Sequence, residues 1–161
     1  MNRTVVVVLA LAGVVVGTAN GMIAGLGPMV GEPMGVSFRL SPRPNFVLGA
    51  GVGYAWWQDS SLQLQADMIF YSVNLTEYRR RDGTMALTMG LGAQARLTGT
   101  PQNPVNRMGL RMPLGIEYIL PSVPIGLYAE AVPIFNLGTT DQYFSGDAIV
   151  GFHYYWFTAS D

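Results

Sequence analysis

The sequence contains no cysteine and no lysine, and charged residues of either sign are scarce. The absence of cysteine excludes a disulfide framework, a cysteine-ligated zinc site and a lipid anchor on cysteine. Charged residues make up 12% of the 161 residues, against roughly 25% in ordinary soluble domains. The formal net charge of −1 predicts no nucleic-acid partner, because polyanion-binding proteins carry an excess of basic residues. Intrinsic disorder is excluded as well, since 50% of the residues are hydrophobic.

Long hydrophobic runs are also lacking, apart from Val5–Val16 near the start of the chain. Arg3 precedes this run and the small residues Gly17-Thr18-Ala19 follow it, which is the three-part pattern of a secretory signal peptide. As a helix the run is about 18 Å long, shorter than the roughly 30 Å of bilayer hydrocarbon. We therefore predict a cleavable signal peptide, helical before cleavage, over residues 1–19 and a single domain over residues 20–161.

From Met22 onward the sequence alternates between apolar and polar residues in short segments, separated by clusters of Gly, Pro, Asn, Asp and Ser. In Leu62–Met68, for example, Leu, Leu, Ala and Met share one face of an extended chain, while Gln, Gln and Asp share the other. This period of two predicts β-strands joined by turns. Strands of about ten residues, tilted by about 45°, are long enough to cross an outer membrane. Eight predicted strands cover residues 22–31, 34–41, 46–56, 61–71, 86–98, 107–119, 125–137 and 147–157.

The two faces of these strands differ in composition, and the difference predicts which face points outward. The apolar face of the last five strands has no charged residue and no glycine, whereas the opposite face holds glycines together with arginines and carboxylates. Opposite charges among small residues are typical of an enclosed interior, where each charge needs a partner. We therefore predict an all-β fold, an eight-stranded up-and-down antiparallel transmembrane β-barrel. The predicted lumen charge network consists of Arg39, Asp67, Arg96, Arg111, Glu117, Glu130 and His153.

Aromatic residues on the apolar face fall near strand ends, on both sides of a band of Leu, Ala and Met. Two aromatic girdles around an aliphatic band are typical of transmembrane barrels. The alternative is a soluble lipocalin-like ligand carrier with the apolar face inside, but its outer face should be rich in lysine and glutamate. The predicted membrane-interface aromatics are Phe46, Tyr54, Trp56, Phe70, Tyr118, Phe135, Tyr154 and Trp156.

Four blocks, at 25–35, 111–118, 127–133 and 154–157, resemble a family of short, uncharacterised bacterial outer-membrane β-barrel proteins. The architecture of that family is similar to the membrane domain of outer-membrane protein A. The resemblance implies a location in the bacterial outer membrane, a lipid bilayer as surroundings, and recognition of an aromatic-ended last strand by the barrel-assembly machinery. The resemblance implies no activity, because there is no agreed activity for this family.

Three prolines, Pro28, Pro113 and Pro133, lie inside predicted strands, although proline cannot donate to a ladder. We expect β-bulges or distorted pairing at these positions. The predicted inward turn at 72–85 is long and contains Arg79-Arg80-Arg81. Such a run indicates a solvated basic turn, with contact to anionic lipid headgroups as the alternative.

Catalytic and metal-binding motifs are lacking. His153 could form a hydrolase triad with Asp67 and Ser72, but it is predicted at the periplasmic end of the last strand, away from an outer-leaflet substrate. One histidine and no cysteine also offer few ligands for a metal. We therefore expect no catalysis, no cofactor and no metal.

The expected function is that of an integral outer-membrane barrel with a structural or surface role, monomeric and with a lumen plugged by ion pairs. Side chains just fill the interior of an eight-stranded barrel, which disfavours an open channel. The alternatives are a narrow ion-conducting pore and a lipid-modifying barrel enzyme.

Overall fold

The computed structural model describes residues 22–43, 45–56, 61–74, 83–100, 103–137 and 143–157, and the predicted signal peptide lies outside them. All regular secondary structure in these residues is β-strand. In the described part of the chain no helix is long and apolar enough to cross a membrane. The strands are β1 Ile23–Gly31, β2 Met34–Arg43, β3 Phe46–Ala55, β4 Ser61–Asn74, β5 Thr84–Thr100, β6 Asn103–Arg111, β7 Leu114–Ile119, β8 Ile125–Leu137 and β9 Phe144–Phe157.

The strands form one antiparallel sheet that closes on itself. Strands β1 to β5 pair in chain order, β6 and β7 each pair with β5 and β8, and β8 pairs with β9. Strand β1 pairs with both β2 and β9, so the first and last strands complete the ring. We call the end of the ring at which β1 begins and β9 finishes the terminal end. The β2–β3 turn and the segment 120–124 lie at this end, and the β1–β2 turn lies at the opposite end.

The described residues form nine strands, where eight were predicted, because the predicted strand 107–119 is divided in two. Strand β6 ends at Arg111 and β7 begins at Leu114, with Met112 and Pro113 between them. Both strands pair with β5 on one side and β8 on the other. The register with each neighbour is unchanged across the interruption, so β6 and β7 follow one another along the same line in the ring.

Two prolines explain the interruption. The N–H of Gly90 donates to the carbonyl of Pro113 at 2.8 Å, and the N–H of Met112 donates to the carbonyl of Pro133 at 3.0 Å. In a hydrogen-bonded antiparallel pair each residue normally donates one bond and accepts another. Each proline accepts a bond but has no N–H to return one, so the ladder is incomplete on both sides of 112–113.

Of the two expectations for Pro28, Pro113 and Pro133, β-bulges or distorted pairing, the described strands show interrupted pairing and no bulge at these residues. Register shifts in the described strands occur at 40–43 in the β2–β3 pairing and at 71–73 in the β4–β5 pairing. Pro28 lies opposite Val36 of β2 without any shift. The prolines therefore interrupt hydrogen bonding without adding a residue to a strand.

Large apolar side chains point outward from the ring, and charged side chains point inward. Leu91 is 59% exposed and Met108 63%, whereas Arg111 and Glu117 are each 1% exposed. A soluble lipocalin-like carrier has the reverse arrangement, with its apolar face around the interior. The interior also contains one small apolar cluster, formed by Met29, Tyr128, Val132, Ile134 and Ile149.

Candidate functional site

Arg39 of β2 is the centre of the charge cluster in the terminal half of the interior. Its Nη1 donates to Glu117 at 2.9 Å and its Nη2 donates to Glu130 at 2.5 Å. The guanidinium also lies over the Tyr128 ring, 4.7 Å from the ring centroid. All three charged side chains are at most 7% exposed, so each is held by its partners and not by bulk water.

Glu117 of β7 accepts two further hydrogen bonds. The hydroxyl of Tyr71 donates to one carboxylate oxygen at 2.5 Å, and the hydroxyl of Tyr155 donates to the other. Residues Gly25 and Gly126 make room for the Tyr155 ring, because a Cβ at either position would lie 2.5 and 2.8 Å from ring carbons. Sequence reasoning missed both tyrosines, although their position on the polar face of their strands was a usable signal.

The remaining predicted charges form two separate pairs. Arg111 Nε lies 3.2 Å from Asp67 Oδ1, and the same guanidinium donates to Gln65. Arg96 donates to Asp147 at 2.6 Å, towards the opposite end of the ring. Asp147 was missed by sequence reasoning because it is the first residue of the predicted last strand. It also accepts from Gln63, which donates to Gln94 through the same amide nitrogen.

His153 is fully buried but does not join the ion pairs. Its Nε2 shares a 2.7 Å hydrogen bond with Ser37, and its ring stacks on Tyr128 with centroids 4.6 Å apart. Its Nδ1 has no hydrogen-bond partner among the described residues. The side chain of Ser72, the third member of the triad considered above, lies outside the described residues, as does Arg79-Arg80-Arg81.

A cavity of about 420 Å³ lies inside the ring at the terminal end. The polar groups around it are Arg39, Glu117 and the two tyrosines that donate to Glu117. We call this space the terminal cavity. The rest of its wall is formed by Ile23, Ser41, Asn45, Val47, Thr84, Ala86, Ile119 and Pro124.

Beyond this cavity the described interior is occupied by the apolar cluster and by the Arg96–Asp147 network. Among the described residues no three His, Asp or Glu side chains come together as a metal site. The arrangement can therefore hold buried charges, and it leaves space for a small molecule at one end.

The predicted interface aromatics are found at both ends of the strands. At the terminal end Phe46 and Phe70 pack with centroids 5.3 Å apart, and at the opposite end Tyr54 and Trp56 are 6.3 Å apart. Tyr118, Tyr154 and Trp156 belong to the terminal end, and Phe135 to the opposite end. Sequence reasoning missed Tyr143 and Phe144, which are 58% and 66% exposed at the opposite end. The sequence predicts both in the loop between the strands 125–137 and 147–157.

A comparison with solved structures finds a similar fold in the N-terminal β-barrel domain of Pseudomonas aeruginosa OprF. The TM-score is 0.58 at 12% sequence identity, and the match covers 86% of this chain and 98% of that one. The two chains share a β-barrel fold. At this identity the similarity extends to the fold and not to the activity.

No protein-family model matches the chain, and no curated protein sequence matches it. The resemblance of the four sequence blocks to short outer-membrane barrels therefore stays a prediction at the level of the family. What the structural match supports is the coarser statement, an all-strand barrel similar in fold to the N-terminal β-barrel domain of OprF.

Proposed function

We propose that the protein is an integral barrel of the bacterial outer membrane, with a structural or surface role. The observation that carries this proposal is the sidedness of the closed ring. Large apolar side chains such as Leu91 and Met108 face outward, and buried ion pairs such as Arg39–Glu117 face inward. In water this exterior would be an exposed apolar patch far larger than those on soluble monomers, so it needs lipid around it.

The lumen is closed in this proposal. The ion pairs and glutamines fill the interior towards the opposite end, and the apolar cluster fills its middle. The described residues contain no group of three metal-binding side chains, and the Ser37–His153 pair is buried with no described carboxylate on His153 Nδ1 to orient the ring. We therefore propose a protein without enzyme activity. We further propose a monomer, because ring closure leaves no unpaired strand edge to recruit a second copy.

The orientation follows from the strand ends. With β1 beginning and β9 finishing at the same end, the terminal end faces the periplasm in a barrel inserted by the usual route. The signal peptide at 1–19 and the barrel-assembly machinery bring the chain there in this proposal. The opposite end, with the β1–β2 turn, then faces the cell exterior.

The test is to express residues 20–161, fold the chain in detergent, and compare boiled and unboiled samples on a gel. Migration that changes on boiling, together with β-type circular dichroism, is the expected result. A chain that is soluble and folded without detergent would contradict the membrane location. Stepwise conductance in planar bilayers would contradict the closed lumen and favour the narrow pore.

A further inference from the structure

We call the polar part of the terminal cavity wall, formed by Arg39, Glu117, Tyr71 and Tyr155, its base. The hydroxyl groups of the base already donate hydrogen bonds. Tyr71 and Tyr155 both donate to Glu117, so their phenolic oxygens keep only acceptor capacity. Arg39, the other donor at the base, directs its two terminal nitrogens to Glu117 and Glu130. The two phenolic oxygens therefore offer acceptors to a ligand that brings N–H or O–H donors of its own, while Arg39 uses two of the five N–H groups of its guanidinium.

The same base carries an excess of negative charge. One guanidinium, that of Arg39, is shared between Glu117 and Glu130 at 2.9 and 2.5 Å. The neighbouring Asp67 and Arg111 compensate each other at 3.2 Å. One arginine for two carboxylates leaves about one uncompensated negative charge in buried surroundings, where a cation is attracted more strongly than in water.

The cavity wall adds aromatic and aliphatic surface. The rings of Tyr71 and Tyr155 line the cavity, and an aromatic face attracts a cation that lies within about 6 Å of it. Ile23, Val47 and Ile119 supply aliphatic surface nearer the strand ends. A bare metal ion has no apolar surface to bury against such a wall, whereas the hydrocarbon body of a small amine has one.

We propose that the terminal cavity binds an organic ammonium ion, that is, a protonated amine on a small apolar body. The ammonium group donates to the two phenolic oxygens and lies against the tyrosine rings, and the apolar body packs on the aliphatic wall. The excess charge of the Arg39–Glu117–Glu130 group supplies the selectivity for a cation. This site is additional to the structural role proposed above.

Three probes that share a phenyl ring separate charge from shape: benzylammonium, benzyl alcohol and benzoate. The protein is purified from the membranes of a bacterial host, placed in phosphatidylcholine nanodiscs and titrated calorimetrically, with empty nanodiscs as the blank. We expect saturable binding of benzylammonium, at least about tenfold tighter than benzyl alcohol, which is ~1.4 kcal/mol. Benzoate should give no saturable heat.

Two variants test the charge and the space separately. Glu130→Gln removes the excess charge without changing a residue of the cavity wall, and it should weaken benzylammonium binding about tenfold. Glu32→Gln makes the same change in net charge in the β1–β2 turn at the opposite end and should leave binding within about twofold. Ala86→Phe fills part of the cavity and should abolish binding.

The proposal is overturned if benzylammonium gives no saturable heat above empty nanodiscs, or if benzyl alcohol binds equally well. Equal weakening by Glu32→Gln and Glu130→Gln would also overturn it. Should Glu130→Gln fail to fold, unchanged binding in Ala86→Phe decides against the site. Each of these results leaves the barrel proposal standing, since that is judged by migration on the gel.

Discussion

At the scale of single residues, Glu117 is the acceptor on which the terminal half of the interior depends. It accepts from Arg39, Tyr71 and Tyr155, and it is 1% exposed. Removing one partner of a buried ion pair costs more than the pair itself contributes, because the remaining charge stays buried.

We expect Glu117→Leu to lower the free energy of unfolding by about 3–5 kcal/mol, since one Arg39 nitrogen and two buried hydroxyls lose their acceptor, although Arg39 keeps its pairing with Glu130. Glu117→Gln, which keeps the shape and one of the two acceptor oxygens, should cost less. Urea unfolding in lipid vesicles measures both variants. An unchanged midpoint for Glu117→Leu would show that the carboxylate does not hold the interior together.

Gly126 offers a second test at this scale, with Gly146 as a matched control. A Cβ at Gly126 would lie 2.8 Å from Glu117 Oε1 and from a ring carbon of Tyr155. At Gly146, in contrast, the nearest atom would be 3.8 Å away. We expect Gly126→Ala to cost about 1–3 kcal/mol through overpacking, and Gly146→Ala to stay within about 0.5 kcal/mol. Equal effects in the urea midpoint would contradict the packing described for Tyr155.

The sequence was informative about which residues face inward and uninformative about which ones meet. The period of two places Arg39, Arg96 and Arg111 on one face, because successive side chains of a strand alternate. Whether Arg96 pairs with Glu130 or with Asp147 depends on where each side chain lies along the barrel axis and around the ring. The alternation pattern of a single strand does not contain these positions. Long-range pairs such as Arg39–Glu130, 91 residues apart, needed the structure.

At the scale of elements, the interruption between β6 and β7 follows from the missing N–H groups of two prolines. The sequence shows only that prolines lie inside predicted strands. Pro113 lies between β6 and β7, next to Met112, which faces Pro133 of β8, and each proline withholds one donor from the ladder. Their position relative to each other depends on the β6–β8 register, so the sequence alone predicted a bulge or distorted pairing and could not predict that the strand divides.

We expect Pro113→Ala to add a ladder hydrogen bond, because the new N–H points at the carbonyl of Gly90, the residue that already donates to position 113. The change in stability should stay within about 1 kcal/mol, since the new bond offsets the greater freedom of the unfolded chain. Hydrogen exchange measured by nuclear magnetic resonance should show that the new backbone amide of the variant is protected. Exchange as fast as in the 120–124 segment would contradict this pairing.

At the scale of the whole molecule, the outer surface decides the environment. A position such as Leu91, 59% exposed on the outer wall, tolerates almost any residue if water surrounds it. If lipid surrounds it, a charge there must leave the hydrocarbon or be buried in it.

We expect Leu91→Arg to lower stability in lipid vesicles by about 2–4 kcal/mol, the cost of arginine near the bilayer midplane. Val123→Arg, at a 44% exposed position in the segment 120–124, should cost about 0–1 kcal/mol because it lies beyond the hydrocarbon. Unfolding by urea in vesicles compares the two. Equal costs at the two positions would place Leu91 outside the membrane.

The pairing of β1 with β9 also has a consequence for the order of events in biosynthesis. Ile23 lies opposite Phe157, so the seam of the ring joins residues that are made at nearly opposite ends of translation. Until β9 is available, both β1 and β8 keep an open edge that can pair with any other extended chain. The ring is therefore completed only after the last strand has been made, and a partner that occupies those edges until then protects the chain from aggregation.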